Sequence, residues 1–558
     1  PHGVLFRGGG EGEIRRNLIE KNKIDVIIGL PSNIFYGTGI PTIIMVLKQK
    51  RVNTDVLIID ASKSFIKEGK NNKLRASDIK KILDVVIRRE SAEKFSRLVS
   101  RDEIRSNDYN LNIPRYVDSS ENAEVWDIYA SMFGGLPISE VEELKLYWQA
   151  FPTLRNALLE NTSSAYCKLA VDDVKKAVKE HTDIKEFESN FKEAFASLDA
   201  YLYDELIVKM DSVSISKTEE ILAQNIFERL SSIPLVDKYE AYQELDDEWN
   251  KIAVDLEIIQ TEGFEAAKVV DHNMVIKKKD GKEYETQEGW KGHVLPFEIV
   301  QSRFLSDELK DLGINESRMA EISSEYSELI DSLSEDDKLK LLNDDDTAFV
   351  AKEIGTAFKE IMDDISTPET KVLEEYLALS KAKEKRDFVL EHTEINWSAM
   401  STNKNGTYTN AEINKYSTAL KSHIQFDEGT YEYIVSRVNA LIAEEKALKK
   451  EVKEKADSLH LKTKEMIESL SDEQVIMLLK DKWINQLIQS LMKLPERVVS
   501  EFVTKIETLA KKYEITLSEL ETEIEDTQKT LSSMIDDLEG NEFDILGLDE
   551  FRKLLGGE

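Results

Sequence analysis

"IGLPSNIFYGTGIPTIIMVL", residues 28–47, sets two neighbouring aromatic side chains, Phe35 and Tyr36, in a run of small residues between two apolar segments. "DVIIGL" (25–30) and "TIIMVL" (42–47) read as strands. The linker between them is too short for the helical crossover of about a dozen residues that parallel neighbours need, so an antiparallel pair is expected. A buried turn uses Gly and Pro but seldom leaves Phe and Tyr at its tip. Two readings stand at this point: a wall for a flat, stackable ligand, or an aromatic cover for the sheet edge.

Working outward, residues 4–6 and 55–60 carry further strand signals, and "EGEIRRNLIEKNK" (11–23) reads as a helix. The first ~115 residues therefore predict part of an α/β domain, the edge of a mixed sheet, whose other strands are expected from sequence outside this chain. The chain opens "PHGVLF" without a Met, as the remainder of a longer protein would.

Charge divides the chain. Residues 1–116 hold 22 Lys and Arg against 14 Asp and Glu, a net of +8, and the whole chain is at −34, which leaves −42 for residues 117–558. Phosphate binding depends on Lys and Arg releasing counterions, so the acidic part is a poor candidate for coating nucleic acid. A basic module joined to an acidic one is a cue for nucleic acid at the basic end; a solvated acidic surface is the plain alternative. The 558 residues suffice for about three or four domains. No apolar run nears the ~20 residues of a membrane span, so no membrane partner is expected. Nothing at the N-terminus reads as a signal peptide. Cys167, the single cysteine, excludes an internal disulfide and a multi-cysteine zinc site, and suits a cytoplasmic location.

After "NDYNLNIPRYVD" (107–118) the texture becomes long, charged and helical, interrupted once by a β signal over 267–295 around the turn dipeptide Asp280–Gly281. Three stretches step by three and four: Met319, Ile322, Tyr326, Leu329 and Leu333; Ile434, Val438, Leu441, Leu448, Val452 and Leu459, with polar residues at two expected seam positions; Leu517, Leu520, Ile524, Thr527, Leu531, Met534 and Leu538. Such short seams pack within one chain more often than they form free coiled coils, and both outcomes are open for each. "RGGGEGEIRR" (7–16) lacks a dinucleotide register and puts Glu11 and Glu13 where a phosphate would sit, so a flexible loop is the better reading. No P-loop and no metal-ligand spacing of the seven histidines occurs; His2 and His293 read as turn or capping residues.

Residues 1–50, "LIIDASKSFIKEGKNNKLRASDIKKIL" (57–83) and "NDYNLNIPRYVD" together closely resemble the last part of the catalytic domain in the modification subunit of type I restriction-modification systems, the adenine-N6 DNA methyltransferases. The resemblance implies S-adenosylmethionine as cofactor of the complete subunit, and DNA, a specificity subunit and a restriction subunit as partners. It implies that the loop matching "SNIFYGTGIP" walls the pocket for an adenine flipped out of the duplex, with Asn33, Phe35, Tyr36, Gly37, Thr38, Gly39 and Pro41 as the site residues. The family's Gly-containing cofactor turn and Asn-Pro-Pro-aromatic motif do not occur in this chain, which has no Asn-Pro dipeptide, so no catalytic, cofactor-binding or metal residue is assigned within it. The chain alone is expected to be inactive. The expected division is 1–118 as the methyltransferase portion, 119–265 helical, 266–300 a small β-rich insertion resembling a stretch found in longer variants of the family, and 301–558 helical with coiled-coil-like hairpins. The alternative function is a non-catalytic helical scaffold.

Overall fold

In the computed structural model, which describes residues 2–120, 125–279, 282–536, 538 and 541–554, helix α1 (Gly9–Glu20) precedes two strands, β1 (Ile24–Gly29) and β2 (Ile43–Leu47). β1 and β3 (Val56–Asp60) are buried at every position, as continuous apolar runs must be when both faces of a sheet are covered. A small separate hairpin of β4 (Ile66–Glu68) and β5 (Asn71–Lys73) leads into α2 (Ala76–Arg88), β6 (Ser96–Val99) and α3 (Arg101–Ser106). The sheet order is β2-β1-β3-β6, with β1 and β3 parallel and both outer strands antiparallel. The antiparallel pair expected from residues 25–47 is present, with Ile28 opposite Ile44 and Gly29 opposite Ile43.

Alternate residues of these strands feed two cores. Ile24, Val56 and Ile58 pack with Ile19 of α1 and Ile104 of α3 on one face. Val26, Ile28, Leu57 and Ile59 pack with Ile82 and Val85 of α2 on the other. Each such side chain contributes roughly 1.5–3 kcal/mol by leaving water, so the two layers account for the sheet's order without help from local propensity.

Residues 4–6 are not a strand. His2–Leu5 forms a 3-10 turn, because the buried Arg15 guanidinium of α1 donates to Val4 O at 2.9 Å, Arg7 O at 3.0 Å and Tyr109 O at 2.7 Å. Carbonyls committed to that cation are not offered to a ladder. A second correction concerns the helical part, where a three-stranded sheet, β7 (Leu136–Pro137), β8 (Leu159–Asn161) and β9 (Tyr166–Leu169), adds a β interruption that the periodicity did not signal. Strands of two to four residues are too short to carry a period.

The chain divides into two units, residues 1–266 with 472–558 and residues 267–471. In the first, α2 is tied to the following helices by Arg75 on Glu240 and Lys80 on Glu220, each at 3.0 Å. In the second, β10 (Val270–Lys279) and β11 (Lys282–Gly292) pair antiparallel; the expected turn at Asp280–Gly281 lies outside the described residues. Helices Ser306–Asp331 and Tyr431–Glu468 run antiparallel: Glu308 meets Lys462 at 3.0 Å, Arg318 meets Glu444 at 2.7 Å and Glu325 meets Arg437 at 2.5 Å. Tyr326, Leu329 and Leu333 share a core with Ile434 and Val438, so the first two seams partner each other within the chain. The third seam, on helix Leu517–Asp536, leaves Leu517, Leu520, Ile524, Leu531 and Met534 exposed. Among the described residues, no helix is long and apolar enough to cross a membrane.

Candidate nucleic-acid interface

The loop between β1 and β2 is closed at its root by Leu30 N donating to Thr42 O at 2.9 Å, and Ile34 anchors it by packing into the α2-side core. Beyond that anchor the chain makes a tight reversal. Thr38 N donates to Phe35 O at 3.4 Å, Phe35 and Thr38 form an isolated bridge, and Ile40 N donates to Thr38 Oγ1 at 3.3 Å. Gly37 sits at φ +79°, a conformation that side chains rarely adopt. Asn33 takes φ +52°, which asparagine tolerates, and its Oδ1 lies where a Cβ on residue 39 would approach to 3.1 Å, so Gly39 lets the two limbs close.

This geometry presents the aromatic pair. Tyr36 is 91 % exposed and Phe35 54 %, with Gly37, Gly39 and Pro41 also exposed beside them. All seven residues read from the sequence thus lie in one short loop; the two rings project unequally, Phe35 half-covered and Tyr36 bare. No Asp, Glu, Lys or Arg occurs between residues 28 and 47, so the surface is neutral as well as flat.

Two features of the site have no local signature in the loop. Asn72 of β5 braces it from 40 residues away, its backbone N–H donating to Asn33 O at 2.9 Å and its Nδ2 to Ser32 O at 2.8 Å. Asp60, the register partner of Gly29 at the end of β3, is buried; it accepts from Ser62 N at 3.0 Å and from Ser119 Oγ at 2.5 Å. His2 senses the Asp60 charge, but burial dominates and holds the imidazole below its usual value. The loop and Asp60 share the edge at the C-terminal ends of the two parallel strands, where α/β sheets generally bind ligands.

The opposite end of β1 is electrostatically closed. Asp25 is 3 % exposed and gathers Lys48 at 2.6 Å, Arg51 at 2.9 Å and Arg89 at 2.6 Å. Burial pushes its carboxyl up, but the three cations outweigh burial and hold it below the ordinary range. Among the described residues, no group of three or more His, Cys, Asp and Glu side chains is placed to hold a metal ion.

Residues 1–125 match the family described as N-6 DNA Methylase. The methylase subunit of the type I restriction enzyme MpnII of Mycoplasma pneumoniae is 41 % identical over 127 residues, covering 23 % of each chain. That of MjaVII of Methanocaldococcus jannaschii is 42 % identical over 132 residues, again 23 % of each. A crystal structure of the type I restriction-modification methyltransferase subunit of Streptococcus thermophilus is 54 % identical, covering 22 % of this chain and 25 % of that one, with a TM-score of 0.21. The chain spans about a quarter of the length of the curated relatives it matches. Within that span, residues 1–125 are similar to the N-6 DNA methylase family and to the methylase subunits of type I restriction enzymes.

Proposed function

We propose that this chain is part of the modification subunit of a type I restriction-modification system, an adenine-N6 DNA methyltransferase, in which residues 32–41 wall the pocket for an extruded adenine and the helical region docks partner subunits. The observation that carries the reading is the pair of exposed rings on a neutral, braced loop at the ligand edge of a mixed sheet. An amino group inside a duplex is out of reach, so its base must be rotated out and held by stacking and hydrogen bonds. Phe35 and Tyr36 offer the stacking faces, and Gly37 and Gly39 allow close approach. In the enzyme assembled with its specificity and restriction subunits, Phe35→Ala or Tyr36→Ala is expected to lower methylation about tenfold for whichever ring stacks, since base–aromatic stacking is worth roughly 1–3 kcal/mol. Retention of full activity by both variants overturns the assignment.

S-adenosylmethionine is the methyl donor this reading implies for the complete subunit. The residues present do not fit it: Gly8 to Gly10 lead out of a 3-10 turn rather than a strand and are exposed, and Glu11 and Glu13 stand beside them. We therefore expect calorimetry of this chain with S-adenosylmethionine to give no micromolar one-to-one isotherm; such an isotherm would show that some other part of the chain builds the site.

A further inference from the structure

The β4–β5 hairpin is fastened to the aromatic loop through Asn72. Its strands pair Ile66 with Lys73, Lys67 with Asn72 and Glu68 with Asn71, leaving Gly69 and Lys70 as a two-residue turn, with Gly69 at φ +62°. Asn72 is the residue that holds the loop, through Ser32 O and Asn33 O. Directly opposed residues on antiparallel strands send their side chains to the same face, with Cβ atoms about 4.5–5.5 Å apart. Lys67 therefore leaves the hairpin on the face that grips the loop.

The charges on this hairpin are uneven. Lys73 is neutralised by Glu68 at 3.3 Å, whereas Lys67 and Lys70 are exposed and meet no carboxylate. Elsewhere in this part of the chain many cations are taken: Asp25 collects three, Glu20 holds Arg105 at 2.6 Å, and Asp84 holds Lys80 at 2.7 Å. The result is a neutral aromatic surface with two uncompensated ammonium groups fastened beside it. A nucleotide in a duplex has the matching arrangement, a flat neutral base flanked by backbone phosphates.

We propose that the β4–β5 hairpin is a phosphate-gripping arm for duplex DNA, with Lys67 and Lys70 contacting the backbone next to the extruded base and Asn72 setting the distance between arm and loop. This rests on the reading of residues 32–41 as the base wall. Backbone contacts fix register and orientation without reading sequence, and lysine serves as a point charge for phosphate. Two contacts that release counterions contribute about 0.9 each to the slope of log affinity against log salt.

The test uses the full chain and a short duplex carrying one 2-aminopurine in place of adenine, with binding followed by anisotropy over a salt series from low ionic strength. Lys67→Gln with Lys70→Gln is expected to reduce the salt slope by about 1.8 and to weaken low-salt binding, with circular dichroism unchanged because both side chains are exposed. Lys21→Gln with Lys50→Gln, two exposed lysines near the opposite end of β1 and β2, removes the same charge and is expected to leave the slope unaltered. An unchanged slope in the hairpin variant, or an equal drop in the control, overturns the arm. In that case the base wall still stands if Phe35→Ala or Tyr36→Ala diminishes the 2-aminopurine signal. Failure of the unaltered chain to bind the duplex at low salt overturns the arm, while the base wall is decided separately by Phe35→Ala and Tyr36→Ala in the assembled enzyme.

Discussion

Replacing Asp25 by alanine is expected to weaken the sheet by about 3–5 kcal/mol, the range seen when one partner of a buried ion pair is removed and the other is left behind. The estimate follows from what surrounds the carboxylate. Arg51 is itself buried; it donates to Asp55 O at 2.5 Å, to Asn22 Oδ1 at 3.0 Å and also to Ile24 O. Those bonds keep its guanidinium in place when the carboxylate is gone, facing Arg89 with Asp55, 3.5 Å from Arg89, left as the remaining nearby anion. Amide hydrogen exchange in β1 and β3 reads this locally, as a fall in the free energy of opening for residues 24–29 and 56–60. Protection equal to that of the unaltered chain would mean that Arg51 and Arg89 relax to solvent at little cost. The same cluster sets a pH dependence. Because the folded carboxyl is held below its ordinary value of 3.8, its stabilisation is complete above that value and is lost as pH falls through the lower, folded one. Asp25→Asn should lack this acid-sensitive component.

The second large effect is expected at the third seam. Leu520, Ile524 and Leu531 are 41 %, 55 % and 39 % exposed on helix Leu517–Asp536, whereas the seams around Ile322 and Val438 are filled from within the chain. Changing these three together to polar residues should therefore leave the helical circular dichroism of the full chain intact and abolish its co-elution with the specificity subunit, or its dimerisation, on a sizing column. Each buried Leu or Ile contributes roughly 1.5–3 kcal/mol, so losing three removes most of the ~8 kcal/mol that holds a micromolar complex. A loss of helical signal in the triple variant would instead assign these residues to the chain's own core, and unchanged association would place the contact elsewhere.

Several elements were legible before any coordinates. The strands at 25–30 and 55–60 were signalled by short apolar runs, and the short linker to 42–47 pointed to an antiparallel partner. The loop's Phe-Tyr-Gly-Thr-Gly order also marked it, because a turn buried for its own sake would not keep two rings at its tip. The stretch at 4–6 misled, since three apolar residues carry no information about whether their carbonyls enter a ladder or, as here, are taken by Arg15 at Val4 and by Leu111 N at Leu5. β7 to β9 were silent for a related reason: their pairing is decided by neighbours rather than by any period of their own.

What the sequence determined by itself was local: which segments are apolar on one face or two, where the chain must turn, and that the first ~116 residues are basic while the rest are acidic. The tertiary structure alone decided which seams are filled, because Arg318 and Glu444 meet across 126 positions and nothing in a heptad names its partner. It also decided that Asn72, paired opposite Lys67 in the hairpin, braces the aromatic loop, since the carbonyls of Ser32 and Asn33 become acceptors for that asparagine only once β1, β2 and the hairpin have been brought together by packing. Hydrophobic patterning is written residue by residue along the chain, but a hydrogen bond or an ion pair between distant segments exists only where the folded core has already set their distance.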